Sequence, residues 1–178
     1  MSELYYSCHS DYCKEGLALT LKKYLRGKPP VILCIGSDVV LMDSLAPLIG
    51  TLLCDKHNIN AFLYGTLKNP ITAKDLLFCY KFIKKLHPGR CILSIDAAVG
   101  KQNEIGLVKI NKDGLYPGLG VNKFFPKIGD YSIMGIVADD SFASASILTV
   151  TRLNLIYKMA NIIADAIAES VSGKLKVC

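Results

Sequence analysis

The chain lacks most of the signatures that would name a function directly. It has no HExxH, no paired CxxC motifs and no Walker A loop, and it holds only three histidines in 178 residues. Without HExxH or two CxxC pairs the common zinc frameworks are absent. His9, His57 and His87 fall near the N-terminus and at expected helix ends, away from any expected strand edge, which disfavours a triad built on histidine. The stretch GLYPGLGV holds glycines, but it neither follows the first strand nor matches GxGxxG. Neither ATP nor dinucleotide binding is expected. No apolar run reaches the roughly 18–20 residues of a membrane-spanning helix, and MSELYYSCHSDYCKEG lacks the basic start and apolar core of a secretory signal. There are no internal repeats, low-complexity segments or linkers, so one domain over residues 1–178 is expected. A chain of this length buries about 70% of its unfolded surface and needs no metal or disulfide to fold.

The net charge is +6, but the basic residues are scattered through LKKYLRGK, KFIKK, KFFPK and GKLKV. No arginine-rich run or aromatic-interleaved basic stripe is present, so direct nucleic-acid binding is not expected. Cys34, Cys54, Cys79 and Cys91 sit within apolar segments and read as small buried thiols, and Cys8–Cys13 has no second half for a zinc site. Cys34 has no partner base to activate it. Free thiols fit a reducing, cytoplasmic compartment.

What is present is an alternation. DYCKEGLALTLKKYL places Leu17, Leu21, Tyr24 and Leu25 on one helical face and is expected to open the domain. PPVILCIG is a short continuous apolar run, as in a strand buried on both faces. SLAPLIGTLLCDKH has helical spacing, with Ser44 as expected N-cap, Pro47 in the first turn and Asp43 just outside. NAFLYG reads as a second buried strand. NPITAKDLLFCYKFIKKLHPG reads as a helix stopped by Pro88 and Gly89, and RCILSIDA as a third strand. This order predicts a parallel α/β sheet with right-handed crossovers. Further on, EIGLVKINKDGLYPGLGV suggests a hairpin or edge element, DYSIMGIVAD a strand interrupted at Gly135, and SILTVTRLNLIYKMANIIADAIAESV a long closing helix.

In open α/β sheets ligands sit beyond the carboxyl ends of the strands. Asp38 and Asp43 follow the first strand, Tyr64 to Thr66 the second, Asp96 the third, and Asp139 and Asp140 a later one. Lys101 and Lys123 are the lysines that could approach this edge. Each acid has an ordinary explanation: an Asx turn at Asp38, or charge–dipole attraction of about 0.3–1 kcal/mol between Asp43 and the next helix. Asp96 resists one, because a carboxylate closing a buried strand needs partners, and Ala97, Ala98 and Gly100 leave room for them. Two facing carboxylates either share a proton and activate water or hold a divalent metal through oxygen.

The segments GSDVVLMDSLAPLIGTLL, YGT, SIDAAVG, YPGLGVNK, GDYSIMGIV and TRLNLIYKMANIIADAI, in this order between about Pro30 and Ala168, resemble the YyaC-type sporulation proteins. These are small relatives of the spore germination protease, an aspartic-type endopeptidase that degrades small acid-soluble spore proteins. Its catalytic aspartates lie in a DALGP-like turn and at an IDA strand end. The match carries those roles onto Asp43 and Asp96. The family also resembles the hydrogenase maturation endopeptidases, which implies a three-layer α/β/α sandwich with a mixed, mainly parallel sheet of the phosphorylase/hydrolase-like kind. Departures are Ala46 where a glycine is usual, the absence of a GN before the turn, and a chain much shorter than the germination protease.

The resemblance implies a peptidase of the forespore or spore core that acts on small acid-soluble spore proteins or related peptides through the Asp43–Asp96 pair. It needs no cofactor, although a divalent metal at the pair stays open. Tyr64, Thr66 and the Gly118–Gly120 loop are expected to wall the cleft. The alternatives are a non-catalytic peptide-binding or regulatory module on the same scaffold and a metal-dependent maturation peptidase.

Overall fold

The computed structural model describes residues 3–57, 59–117, 126–140 and 151–171. Six strands form one sheet: β1 (Leu4–Ser7), β2 (Val31–Cys34), β3 (Phe62–Tyr64), β4 (Ile92–Gly100), β5 (Leu107–Asn111) and β6 (Tyr131–Asp139). The helices are α1 (Cys13–Tyr24), α2 (Leu45–Lys56), α3 (Leu76–Leu86) and α4 (Leu153–Val171), and a single tight turn, Leu41–Ser44, leads into α2. The strand order is β1-β5-β6-β4-β2-β3. The strands β3, β2, β4 and β6 run parallel, while β5 is antiparallel to both its neighbours.

The two faces bury different sets. On one, α1, α2 and α4 cover Ile32, Cys34, Leu93, Ile95, Ile133 and Val137. On the other, α3 covers Val31, Leu33, Ile35 and Ile92, beside Leu115 and Ile128. Because β2 lies between β3 and β4 with helices on both sides, all four residues of VILC are buried, which is why its sequence runs apolar without alternation. The result is the expected three-layer arrangement with a mixed, mainly parallel sheet. Among the described residues no helix is long and apolar enough to cross a membrane.

Several expectations need correction. A strand, β1, precedes the first helix; its residues are exposed or half-buried and carry no continuous apolar signal. By pairing with β5 it makes β5 an inner strand, not an edge. β5 and β6 are antiparallel neighbours, but residues 112–130 separate them, so they are not a tight hairpin. β3 is an edge strand of three residues with Phe62 36% exposed, not a buried one. Cys34 is buried as expected, Cys79 and Cys91 are half-buried, and Cys54 is exposed on α2. Ser44 stands at the helix start, but its hydroxyl donates to the Leu41 carbonyl at 2.6 Å and does not cap α2.

Gly135 does not interrupt β6. A Cβ there would lie 2.3 Å from Leu45 Cδ2, so the glycine admits the first residue of α2 against the sheet. The irregularity lies instead in β4, where the register shifts between Ala98 and Val99. A second close approach seats α2 on the strand ends. A Cβ on Gly50 would lie 2.0 Å from the Gly65 carbonyl oxygen, and one on Gly65 2.0 Å from that of Cys34. Both obstacles are backbone, so neither can swing aside. Gly50→Ala is expected to cost about 1–3 kcal/mol of stability, read as a lower denaturant midpoint at unchanged slope; an unchanged midpoint would show that α2 has room to retreat.

Candidate active site

The site begins where β2 stops. Cys34 is the last residue of β2 and pairs with Ile95. The Ile35 N–H still donates to the Ile95 carbonyl at 2.8 Å, and the chain then turns away at Gly36, whose φ is +148°. The Gly36 N–H donates to the Ile71 carbonyl at 3.0 Å. A Cβ on Gly36 would sit 2.2 Å from the Asp43 carbonyl oxygen, so only glycine permits the turn to fold back this closely. The Ser37 N–H donates to that oxygen at 3.2 Å, and the Asp43 N–H donates to the Val40 carbonyl at 3.0 Å. These bonds close residues 36–43 into a loop that returns Asp43 to the end of the strand.

Asp96 is not at a strand terminus, as the sequence suggested: β4 runs four residues further, to Gly100. It is nevertheless at an edge, because it stands one residue beyond the last partner that β2 supplies. Toward β6 it remains in the ladder, opposite Met134. Strand alternation sets it on the same face as Ile92 and Ser94, the face that α3 covers. The missing continuation of β2 leaves a gap beside Asp96, and the Asp43 turn, packed against β4, occupies it.

The two acids feel each other. Burial, and then the charge of Asp43, push the Asp96 carboxyl well above its usual range; the Ala97 N–H, donating to Oδ1 at 2.8 Å, opposes the shift without cancelling it. Burial also raises Asp43, against a lowering influence from the Ser37 N–H. As residues, Asp43 and Asp96 are each half-buried. The arrangement can hold one proton between two carboxyls and offer the other carboxyl as a base.

The remaining candidates do not join the pair. Asp38 is exposed on the outer part of the loop. Asp139 ends β6, about 16 Å beyond Met134 at ~3.3 Å per residue, and Asp140 follows it. Lys101 lies in the turn after β4, five residues beyond Asp96, where its backbone N–H donates to the Glu104 carboxylate at 2.8 Å. Thr66 closes its own turn with Asn69, its hydroxyl accepting from the Asn69 N–H at 3.1 Å. Tyr64 is drawn away: its hydroxyl bonds to His87 Nε2 at 2.7 Å, in a cavity shared with Lys28 and Arg90, which precede β2 and β4. Tyr64 therefore faces the amino edge and does not wall the cleft. Lys123 and the Gly118–Gly120 loop lie outside the described residues.

His57 pairs with Asp165 at 3.0 Å and His87 ends α3, both away from the site. His9 is different. It follows β1, beside Gly106, and so stands at the carboxyl edge after all. Three strand spacings separate β1 from β4, about 14 Å, which still keeps it from the pair. Among the described residues no group of three His, Cys, Asp or Glu side chains is placed to hold a metal. The backbone partners of the site, Ser37 and Ile71, went unanticipated; the one signal for them was the glycine directly after an apolar strand.

A raised carboxyl has a thermodynamic signature. The folded chain keeps these protons to higher pH than the unfolded chain. Their contribution is fully present below the usual carboxyl range near pH 4 and is lost as pH rises through the folded value. Asp96→Asn removes the ionisation and keeps an oxygen for the Ala97 N–H. The variant is expected to melt higher than the parent at pH 7, by about 2–4 °C for each kcal/mol relieved, with the gap closing toward pH 3. Thermal unfolding followed at both pH values checks this; a variant that melts lower at pH 7 would contradict a costly buried charge.

The relatives bear on the whole of this site. A family model described as "Protein of unknown function (DUF1256)" matches residues 6–166, a span that includes both Asp43 and Asp96. A Bacillus subtilis (strain 168) protein named "Uncharacterized protein YyaC" is 38% identical over 152 residues, which is 85% of this chain and 74% of the relative. On both measures the chain belongs to the DUF1256 family and is a YyaC-type protein.

Proposed function

We propose that the chain is a sporulation-associated peptidase of the spore-germination-protease type, in which Asp43 and Asp96 act as an acid–base pair on a peptide carbonyl. The observation that supports this best is Asp96, a carboxyl inside the sheet whose proton is held both by burial and by the second acid brought to it from 53 residues away. Paired carboxyls with perturbed proton affinity are what acid–base chemistry at neutral pH requires.

Asp96 is the proton holder of the pair, since the raising influences on it are the stronger and Asp43 is among them. Its Oδ1 accepts from Ala97, so Oδ2 is the oxygen left to carry the proton. Asp43, ionised, takes a proton from a water molecule as the water oxygen attacks the carbonyl carbon. Asp96 gives its proton to the carbonyl oxygen, and a tetrahedral intermediate forms. The carbon–nitrogen bond breaks as Asp43 passes its proton to the leaving amine. Asp96 recovers its proton from a hydroxyl of the intermediate as the product carboxyl forms. The pair ends as it began, with one proton between two acids, and titrates as a unit.

The donor set does not fit a resident transition metal: catalytic zinc takes three protein ligands, and the described residues bring two carboxyls together without a third His, Cys, Asp or Glu. No step is assigned to a metal. The substrates proposed are small acid-soluble spore proteins or similar extended chains, and the proposed location is the forespore or spore core.

Incubation of the purified protein with small acid-soluble spore proteins is expected to yield new fragments, unaffected by a chelator, with a bell-shaped dependence on pH. Asp43→Asn and Asp96→Asn are each expected to reduce turnover by about 100-fold or more while remaining folded. In Asp43→Asn the Asp96 carboxyl is expected to titrate at lower pH, as read by carbon NMR of the carboxyl. Full turnover in either variant would falsify the mechanism. Binding of the spore proteins without fragments, with or without divalent metal, would establish instead a binding module on this scaffold.

A further inference from the structure

The outer face of α3 carries apolar side chains that the fold does not use. Of its eleven residues only Leu76 and Ile83 are buried in the core. Phe78, Phe82 and Leu86 are 77%, 53% and 54% exposed. Spaced four apart, they stack into one row along the helix. Lys81 and Lys85, each three residues beyond a phenylalanine, form a second exposed row beside it. Large exposed apolar residues scattered singly need no explanation, but a contiguous row rimmed by charge marks an interaction surface.

The row ends in a concavity. Leu86 forms part of the wall of an open cavity of about 610 Å³ with Phe62 and Pro88, where Lys28 and Arg90 supply the charge and no acidic residue is present. The Arg90 guanidinium stacks over the Phe62 ring, 4.7 Å from its centre, and donates once, to the Pro29 carbonyl at 3.0 Å. Most of its five donors are thus left for another partner. His87 adds no charge, because burial and then the neighbouring Arg90 push its imidazole down toward the neutral form.

We propose that this face docks an acidic amphipathic helix of a partner protein. Its apolar residues would cover Phe78, Phe82 and Leu86, and its carboxylates would meet Lys81 and Lys85 along the row and Lys28 and Arg90 at the cavity. A helix laid along an apolar row reads it through residues at the same spacing of three and four. Charge selects the occupant. A second copy of this chain would set like lysine rows against each other and bring together two molecules of net charge +6. A lipid surface is flat, whereas this row descends into a cavity with a stacked guanidinium at its wall. The surface lies apart from Asp43 and Asp96, and the inference stands whether or not the pair cuts peptides.

The whole protein, immobilised, is screened against a displayed library of helical peptides about 15 residues long. The selected sequences are expected to be acidic with apolar residues at three- and four-residue spacing. Phe82→Ser and the double change Lys81→Glu with Lys85→Glu are expected to weaken the best peptide by roughly tenfold or more, and only the charge change should abolish the salt dependence. The three side chains changed, Lys81, Phe82 and Lys85, are all exposed on α3, so the variants should melt with the parent. Three results would overturn the proposal: enrichment of basic or uncharged sequences, equal enrichment on the Phe82→Ser protein, or no enrichment. Capture by vesicles of phosphatidylglycerol that is lost in Phe82→Ser would reassign the face to membranes. A dimer in sedimentation that dissociates in Phe82→Ser would reassign it to self-association.

Discussion

The site depends on one mismatch of length. Two parallel strands lie side by side, and one of them, β2, ends while its neighbour β4 continues for five more residues. Had β2 gone on, its backbone would have satisfied β4 and sealed Asp96 among apolar side chains. Because it stops, β4 exposes a flank inside the molecule. The chain leaving β2 loops through residues 36–43 and returns an acid to that flank. A carboxyl in such a position is neither solvated as at a surface nor neutralised by a cation, and the described residues provide no lysine or arginine to either acid.

Holding two acids there requires a rigid frame. The turn cannot drift outward, because the Gly36 backbone lies against the Asp43 carbonyl and the Ser37 and Ile71 backbones bind it. The helix that follows cannot slide, because Gly50 rests on Gly65 and Gly65 on Cys34. Glycines in these places replace side-chain packing by direct contact of backbone with backbone, which leaves little slack to relax the repulsion. The strain of the pair is therefore borne by the sheet and α2 together rather than by a local loop.

Much of the architecture was legible in the sequence. VILC and ILSI announced covered strands because both faces of the sheet are roofed by helices, and HPG marked the end of α3 because proline and glycine cannot continue it. Asp96 stood out as an acid closing an apolar run, whereas Asp43, with an ordinary explanation at a helix start, was marked by the resemblance of its turn. The sequence was silent where pairing, not burial, decides. β1 is a strand only because β5 offers it hydrogen bonds. Gly135 reads as a break but is a recess for Leu45. The true extent of β4 beyond Asp96 follows from β6 running alongside it, which no local pattern in SIDAAVG records. Tyr64 and His9 were misplaced because the end of an element does not say where a ring will swing, nor the number of a residue how far along the sheet its strand will lie.

The borders of the sheet remain. β1 has four residues and β3 three, so each rim offers few unpaired backbone groups to a neighbouring molecule. Glu3 at the β1 rim is tied to Lys109 at 2.7 Å, placing an ion pair where another chain would have to add. A short rim with a charged pair beside it, as at β1, discourages a sheet from extending between molecules. At the β1 side, this makes strand-by-strand joining of neighbouring molecules unfavourable.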